Sequence, residues 1–300
     1  MIGITTVRGA DEETPVNDPD TDPAAVTGDS AQGTPTLEFE GTTPYEDYVH
    51  ASVLTGLQQP LSDDPGEMAF LVTTQVMELW FTLLVHEWRT ARDALFKDDT
   101  ERAMEALRRS LTAHRALNDS WRPIAALTPA QFNAYRTALG EASGFQSAMY
   151  RQVEFLLGDK SLSLLRPHRG HPRVHAELEA ALAEPCLYDA VMDHLHRQGL
   201  PVPREVLDRD VTQPWTPHPG VEEVWRQVYA GPQGSPLVAL GEVLTDVGEL
   251  VWRWRSDHLL ATRRAMGAKA GSGGSPGVAW LEKRAARSVF PELWTARSHV

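Results

Sequence analysis

Apolar residues Phe70, Leu71, Met77, Leu84, Val85 and Trp88 fall on one broad face of a run from about Glu67 to Phe96. That spacing marks a long core helix. The same period returns at Leu250, Val251, Trp254, Leu259 and Ala265, in a helix that ends in the glycine-rich stretch from Gly271 to Ser275. Alternating runs of the strand type are scarce and no internal repeat is evident, so the expected class is all-α, a helical bundle.

Other helices are expected from Tyr45 to Leu57, Thr100 to Asn118, His175 to Ala183, Leu187 to Gln198, Val221 to Tyr229 and Gly277 to Arg287. Thr128 suits an N-cap and Pro129 a first turn, which together open another long helix. Arg166 to His175 carries three histidines, but its prolines and basic residues read as a solvated loop. Residues 1–40 are acidic and poor in large apolar side chains, the composition of a disordered tail. The remainder, 41–300, is expected to form a single domain, since 300 residues with 42% apolar content can bury one large core.

A net charge of −13 and a pI near 5.3 argue against a nucleic-acid surface. No apolar run approaches the ~18 residues that a membrane span needs, and no basic start with an apolar signal follows Met1. The cytoplasm is the expected location, with no nucleic-acid or membrane partner. The single Cys186 excludes an internal disulfide and a cysteine-built metal site. Any metal must be held by histidine or by a cofactor.

His258, flanked by tryptophans and arginines, is suited to bind a metal through one ring nitrogen, with the arginines available to anionic groups of a cofactor. The glycines beyond it let backbone approach a ligand, and the Ser272 hydroxyl can meet an ammonium or a carboxylate.

These residues carry a resemblance. His258 with Met266 to Gly277 resembles the haem-ligand helix and substrate loop of the tryptophan 2,3-dioxygenase family, among the histidine-ligated haem-dependent aromatic oxygenases. Glu67 to Phe81 resembles the family's distal helix, and Phe132 to Lys160, with Ser143-Gly144-Phe145-Gln146, resembles a third stretch in the same chain order. The resemblance implies an all-α domain around haem b, with His258 as proximal iron ligand, and O2 with L-tryptophan or a close derivative as substrates. It implies Arg136 as the clamp on the substrate carboxylate, a task that suits a planar, permanently charged guanidinium. Ser272 matches a threonine near the substrate's ammonium and carboxylate, and Phe70 and Tyr150 match pocket aromatics. Tyr45 and Tyr48 match a segment that reaches a neighbouring subunit's pocket, which implies a homo-oligomer, tetramer or dimer. Glu78, Trp80 and Trp121 are read as structural.

Departures accompany the matches. The family's distal histidine falls on Thr74, whose hydroxyl can accept from an indole N–H but cannot act as a base near neutral pH. Phe132 replaces a tyrosine near the substrate carboxylate, and Tyr135 stands where the family has phenylalanine. The expected reaction is dioxygenation of the indole C2=C3 bond to an N-formylkynurenine. The alternatives are a monooxygenase that leaves a 2-oxindole or another singly oxygenated aromatic amino acid, and a haem-binding sensor without turnover.

Overall fold

A computed structural model describes residues 36–267, 269 and 277–299. Most of the expected acidic tail, and Ser272, lie outside the described residues. No strand occurs among the described residues, and the class is all-α as expected. The chain divides into two units, one ending at Leu57 and one beginning at Gln58.

The first unit holds α1 (Pro44–Val49) and α2 (Ala51–Thr55). The single helix expected from Tyr45 to Leu57 is thus two, because His50 takes a left-handed φ of 52° that ends one and starts the other. Thr43 caps α1 by accepting from the Glu46 N–H, and Glu46 in turn accepts from the Ser52 N–H.

The second unit is built on α3 (Gly66–Leu95), α4 (Thr100–Asp119), α5 (Arg122–Ala125), α6 (Pro129–Arg136) and α7 (Ala148–Leu156). There follow α8 (Pro172–Ala183), α9 (Leu187–Arg197), α10 (Arg204–Leu207) and α11 (Pro219–Ala230), then α12 (Pro236–Met266), α13 (Val278–Ala285) and α14 (Pro291–Ala296). α3 packs along α4, with Leu84, Trp88, Leu95 and Leu107 wholly buried. The Trp88 indole N–H finds the Ser110 hydroxyl at 2.9 Å, so the largest core side chain leaves no polar atom stranded. Burying each such side chain stabilises the fold by about 1.5–3 kcal/mol. α3 is long and apolar enough to cross a bilayer, but here it supplies the core and carries Glu67, Glu87 and Arg92 in buried positions.

Sequence punctuation explains most boundaries. Asp99 caps α4 by accepting from the Arg102 N–H, and Thr128 with Gln131 forms the expected capping box around Pro129. The long helix expected from Thr128 nevertheless stops at Arg136. Gly140 adopts φ +55°, a 3₁₀ turn spans Gly144–Gln146, and Ser147 caps α7 afresh. The loop expected between Arg166 and His175 is also corrected: a 3₁₀ turn covers Leu162–His168 and α8 begins at Pro172. His168 is buried there, and no group of three potential ligands able to hold a metal ion occurs among the described residues. α12 starts well before the expected Leu250, at Pro236 behind the Ser235 cap, and α14 has no counterpart among the expected helices.

Candidate functional site

α12 and α3 face each other across a cavity of about 250 Å³. Trp254, Arg255, His258, Ala261, Thr262 and Ala265 line it from α12, at the three- and four-residue spacing of one helix face. Phe70, Thr74, Met77, Glu78 and Phe81 line it from α3 at the same spacing. α5 and α6 add Ile124, Phe132 and Arg136, and α7 adds Tyr150 and Arg151.

His258 is the histidine of this wall. Its imidazole is stacked on the Trp121 indole, centroid to centroid 4.7 Å with 17° between planes, and the Trp254 ring lies 5.7 Å away on another side. Neither ring nitrogen has a hydrogen-bond partner among the described residues. The residue lines the cavity, and the surrounding protein desolvates it enough to hold its pKa down at about 4. It is therefore a neutral imidazole at physiological pH, the form that offers a lone pair to a metal.

An aromatic frame holds this geometry. Tyr150 packs on Trp254 at 4.7 Å, and Phe81 touches both, at 5.2 and 5.6 Å. Phe132 stacks obliquely on Phe70 at 6.1 Å on the α6 side.

Thr74 faces the cavity from the middle of the α3 stretch. Its hydroxyl donates back to the carbonyls of Phe70 and Leu71, at 3.1 and 2.8 Å. With the proton engaged by its own helix, the oxygen's lone pairs remain to accept from a ligand. Glu78 follows one turn later, its carboxyl raised by burial and held against the Ser147 side chain.

The structure brings Phe70, Thr74, Phe132, Arg136, Tyr150 and His258 to one cavity. It does not bring Tyr135 there. Its side chain belongs to a small buried cluster with Phe132 and Ala265, its hydroxyl is buried and unpartnered, and desolvation with Asp64 and Glu67 nearby pushes it up to about 12. Its ring packs against Gly66 at the start of α3 and against the Phe70 and Phe132 rings, which take the places on the cavity wall. Tyr45 and Tyr48 lie on α1 of the first unit, both exposed. Ser272 lies outside the described residues.

Several lining residues escape sequence reasoning. Trp121, read as structural, is the stacking partner of His258, and Arg151 and Arg284 line the cavity although their residue type suggests solvent, whereas Arg255 is among the arginines beside His258 that the sequence already offers to a cofactor's anionic groups. The usable signal is the α12 face itself, where Arg255 stands one turn before His258. A second hollow of about 650 Å³, more open and polar, is bordered by His86, Arg89, Lys97 and Arg102 and contains none of the sequence-derived candidates.

A mostly apolar cavity between the helices of an all-α protein, with one neutral histidine and a few convergent cations, has the form of a small-molecule or cofactor site. The comparison with known proteins makes this specific. The family profile described as tryptophan 2,3-dioxygenase matches residues 29–300. A tryptophan 2,3-dioxygenase from Bradyrhizobium diazoefficiens is 38% identical over 262 residues, 87% of this chain and 94% of the relative. Relatives of the same name from Exiguobacterium sibiricum and Polaromonas naphthalenivorans are each 39% identical, over 87% of this chain and 94% and 93% of their own lengths. The chain belongs to the tryptophan 2,3-dioxygenase family.

Proposed function

We propose that the protein is a haem-dependent dioxygenase that converts L-tryptophan, or a closely related indole amino acid, to an N-formylkynurenine by adding both atoms of O2 across the indole C2=C3 bond. The observation that carries this reading is His258: a neutral imidazole without a hydrogen-bond partner among the described residues, stacked on Trp121 and facing an aromatic cavity that also holds Arg136 and Thr74. The residues fit a haem. The donor is in its ligating form, the walls are apolar and aromatic, and the polar groups sit at the edges.

His258 would hold the iron as proximal ligand. When bound, the haem supplies the activation of O2 that amino-acid side chains cannot. The chain's own residues bind, orient and enclose. Arg136 pairs with the substrate carboxylate through a charge-assisted hydrogen bond and so fixes the distance of the indole from the cofactor. Thr74 Oγ1 accepts the indole N–H, its own proton being committed to α3. Phe70, Phe132 and Tyr150 exclude water and leave the electron-rich face of the indole as the nucleophilic partner of the oxidant. Thr74 takes no proton in this scheme, since a threonine hydroxyl is no base near neutral pH. Ser272, Tyr45 and Tyr48 complete the substrate site, the two tyrosines from a second copy of the chain. A homo-oligomer accords with the outer face of α3, where Met68, Val72, Leu79 and Leu83 form an exposed apolar stripe at four- and seven-residue steps. We assign the enzyme to the cytoplasm, in keeping with its acidic composition.

Reconstitution tests the reading. Iron protoporphyrin IX should give a Soret band with the wild-type chain and turnover of L-tryptophan under O2, and His258→Ala should abolish both. An unchanged spectrum in His258→Ala would contradict the assignment.

A further inference from the structure

α3 and α12 run in opposite directions across the cavity, in a register that two contacts fix. At one end Phe81 of α3 packs edge-on against Trp254 of α12, ring centroids 5.6 Å apart. At the other end Phe70 packs on the buried cluster that contains Ala265. These contacts are equally spaced along both helices, so the residues between them pair level by level. One turn in from Trp254 is His258, and one turn in from Phe81 is Met77. Both line the cavity, which sets a thioether level with the imidazole on the facing wall.

An iron held by His258 has its opposite coordination position turned to whatever the α3 wall supplies. Thr74, Met77 and Glu78 are the donors there. The Thr74 hydroxyl already donates to the carbonyls of Phe70 and Leu71, and a neutral alcohol is a weak ligand. Glu78 is raised by burial and held against Ser147, so ionising it to bind a metal costs more than usual. Met77 has no proton to lose. Thioether sulfur is a soft donor that serves as a haem ligand opposite histidine. Its unbranched chain has three rotatable bonds, so the sulfur can move on and off a metal at small cost.

The substrate needs the same space. Thr74 and Met77 are three residues apart on α3 and share one face of it. An indole whose N–H is accepted by Thr74 lies over the part of the cavity that Met77 lines, and the whole cavity is only about 250 Å³. Substrate and thioether therefore exclude each other. The sulfur is uncharged and has only its bond to iron to hold it there, whereas the amino acid brings the charge pair with Arg136.

We propose that Met77 Sδ is the second axial ligand of the haem iron while the substrate site is empty, and that the indole amino acid displaces it. The iron then meets O2 only when the substrate is already seated. The exchange is a lone pair donated and withdrawn: no electron or proton is transferred, and Met77 is unchanged by it. This inference rests on the haem reading above and adds to it an order of binding.

The test is spectroscopic and uses the full, haem-loaded chain. Without tryptophan the ferric wild type should be low-spin, with the weak far-red charge-transfer band of an iron–thioether bond. Met77→Leu, which conserves the volume of the side chain, should take up haem, lack that band and be high-spin. L-Tryptophan should convert the wild type to the high-spin spectrum of the variant. In the ferrous state, carbon monoxide should bind the wild type about tenfold more weakly without L-tryptophan than with it, the factor for an iron capped in about nine-tenths of the molecules, and Met77→Leu should lose this difference. A high-spin wild type without the band, or a low-spin spectrum shared by Met77→Leu, would overturn the proposal. So would a low-spin wild type that saturating L-tryptophan leaves unchanged. If Met77→Leu fails to fold, by circular dichroism, the wild-type spectra alone decide. A wild type with no Soret band would overturn the haem reading itself, and the ligand assignment with it.

Discussion

The Trp121 indole lies parallel to the His258 imidazole at 4.7 Å, on the wall of the cavity that also holds Thr74 and Arg136. Trp121 belongs to the turn that starts α5, and His258 to α12, so the stack joins two elements at the proposed ligand. A ring with no hydrogen bond to either nitrogen depends on packing for its orientation.

Trp121→Leu should therefore loosen the histidine without removing it. The expected result is haem loss to a scavenging apoglobin about tenfold faster than in the wild type, with Trp121→Phe close to normal. Equal loss rates in wild type and Trp121→Leu would show that the stack does not position the ligand.

Arg136→Gln should raise the KM for L-tryptophan by about 30-fold or more, equivalent to about 2 kcal/mol of lost charge pairing. Its Soret band should match that of the wild type, because Arg136 comes from α6, near Ala265 and two turns of α12 past His258. Steady-state kinetics and a spectrum of the same sample check both halves.

Thr74→Val keeps the shape of the side chain and removes the acceptor. It should lower kcat/KM for L-tryptophan about tenfold, the value of one hydrogen bond in an enclosed site. With 1-methyltryptophan, which has no indole N–H, wild type and Thr74→Val should perform alike. A similar drop on both substrates would remove Thr74 from the role of acceptor.

That His258, Thr74 and Arg136 come to one cavity is legible in the sequence because each sits in a motif with fixed neighbours in a fixed order. The long helices are legible because 3.6-residue periodicity survives over many turns in α3 and α12. Trp121 is not, since a lone tryptophan before a four-residue helix has no period to place it. The break after Arg136 hides for a similar reason: the residues up to Leu157 suit a helix, and only Gly140 with the Ser143 and Ser147 caps divides them. Tyr135 lies one helical turn from Phe132, and only the packing of its ring against Gly66, Phe70 and Phe132 keeps it off the cavity wall. Arg151 and Arg284 look like solvent-facing residues because their burial arises from pairing between α7, α12 and α13, which no local pattern encodes.

Acid should destabilise the fold through His114. The ring is 3% exposed, beside Trp88, and burial, with Arg255 adding to it, holds it at about 3. The unfolded chain protonates this histidine near its ordinary 6.5 while the native chain does not. The unfolded state therefore binds more protons in the window from about 6.5 down to about 3, and stability falls with pH there. Between pH 6.5 and 5 the loss from this group is about 2 kcal/mol. Urea denaturation at the two pH values should show the drop, and His114→Gln should shrink it. An identical pH dependence in the variant would place the acid sensitivity elsewhere.

The central claim is that both atoms of one O2 enter the indole. Ferrous, haem-loaded protein is given L-tryptophan under isotopically labelled O2, and the product is weighed by mass spectrometry. The account predicts a ring-opened product carrying two labelled oxygens. One labelled oxygen on an intact ring would contradict it and identify the protein as a monooxygenase shaped by Thr74 and Phe132.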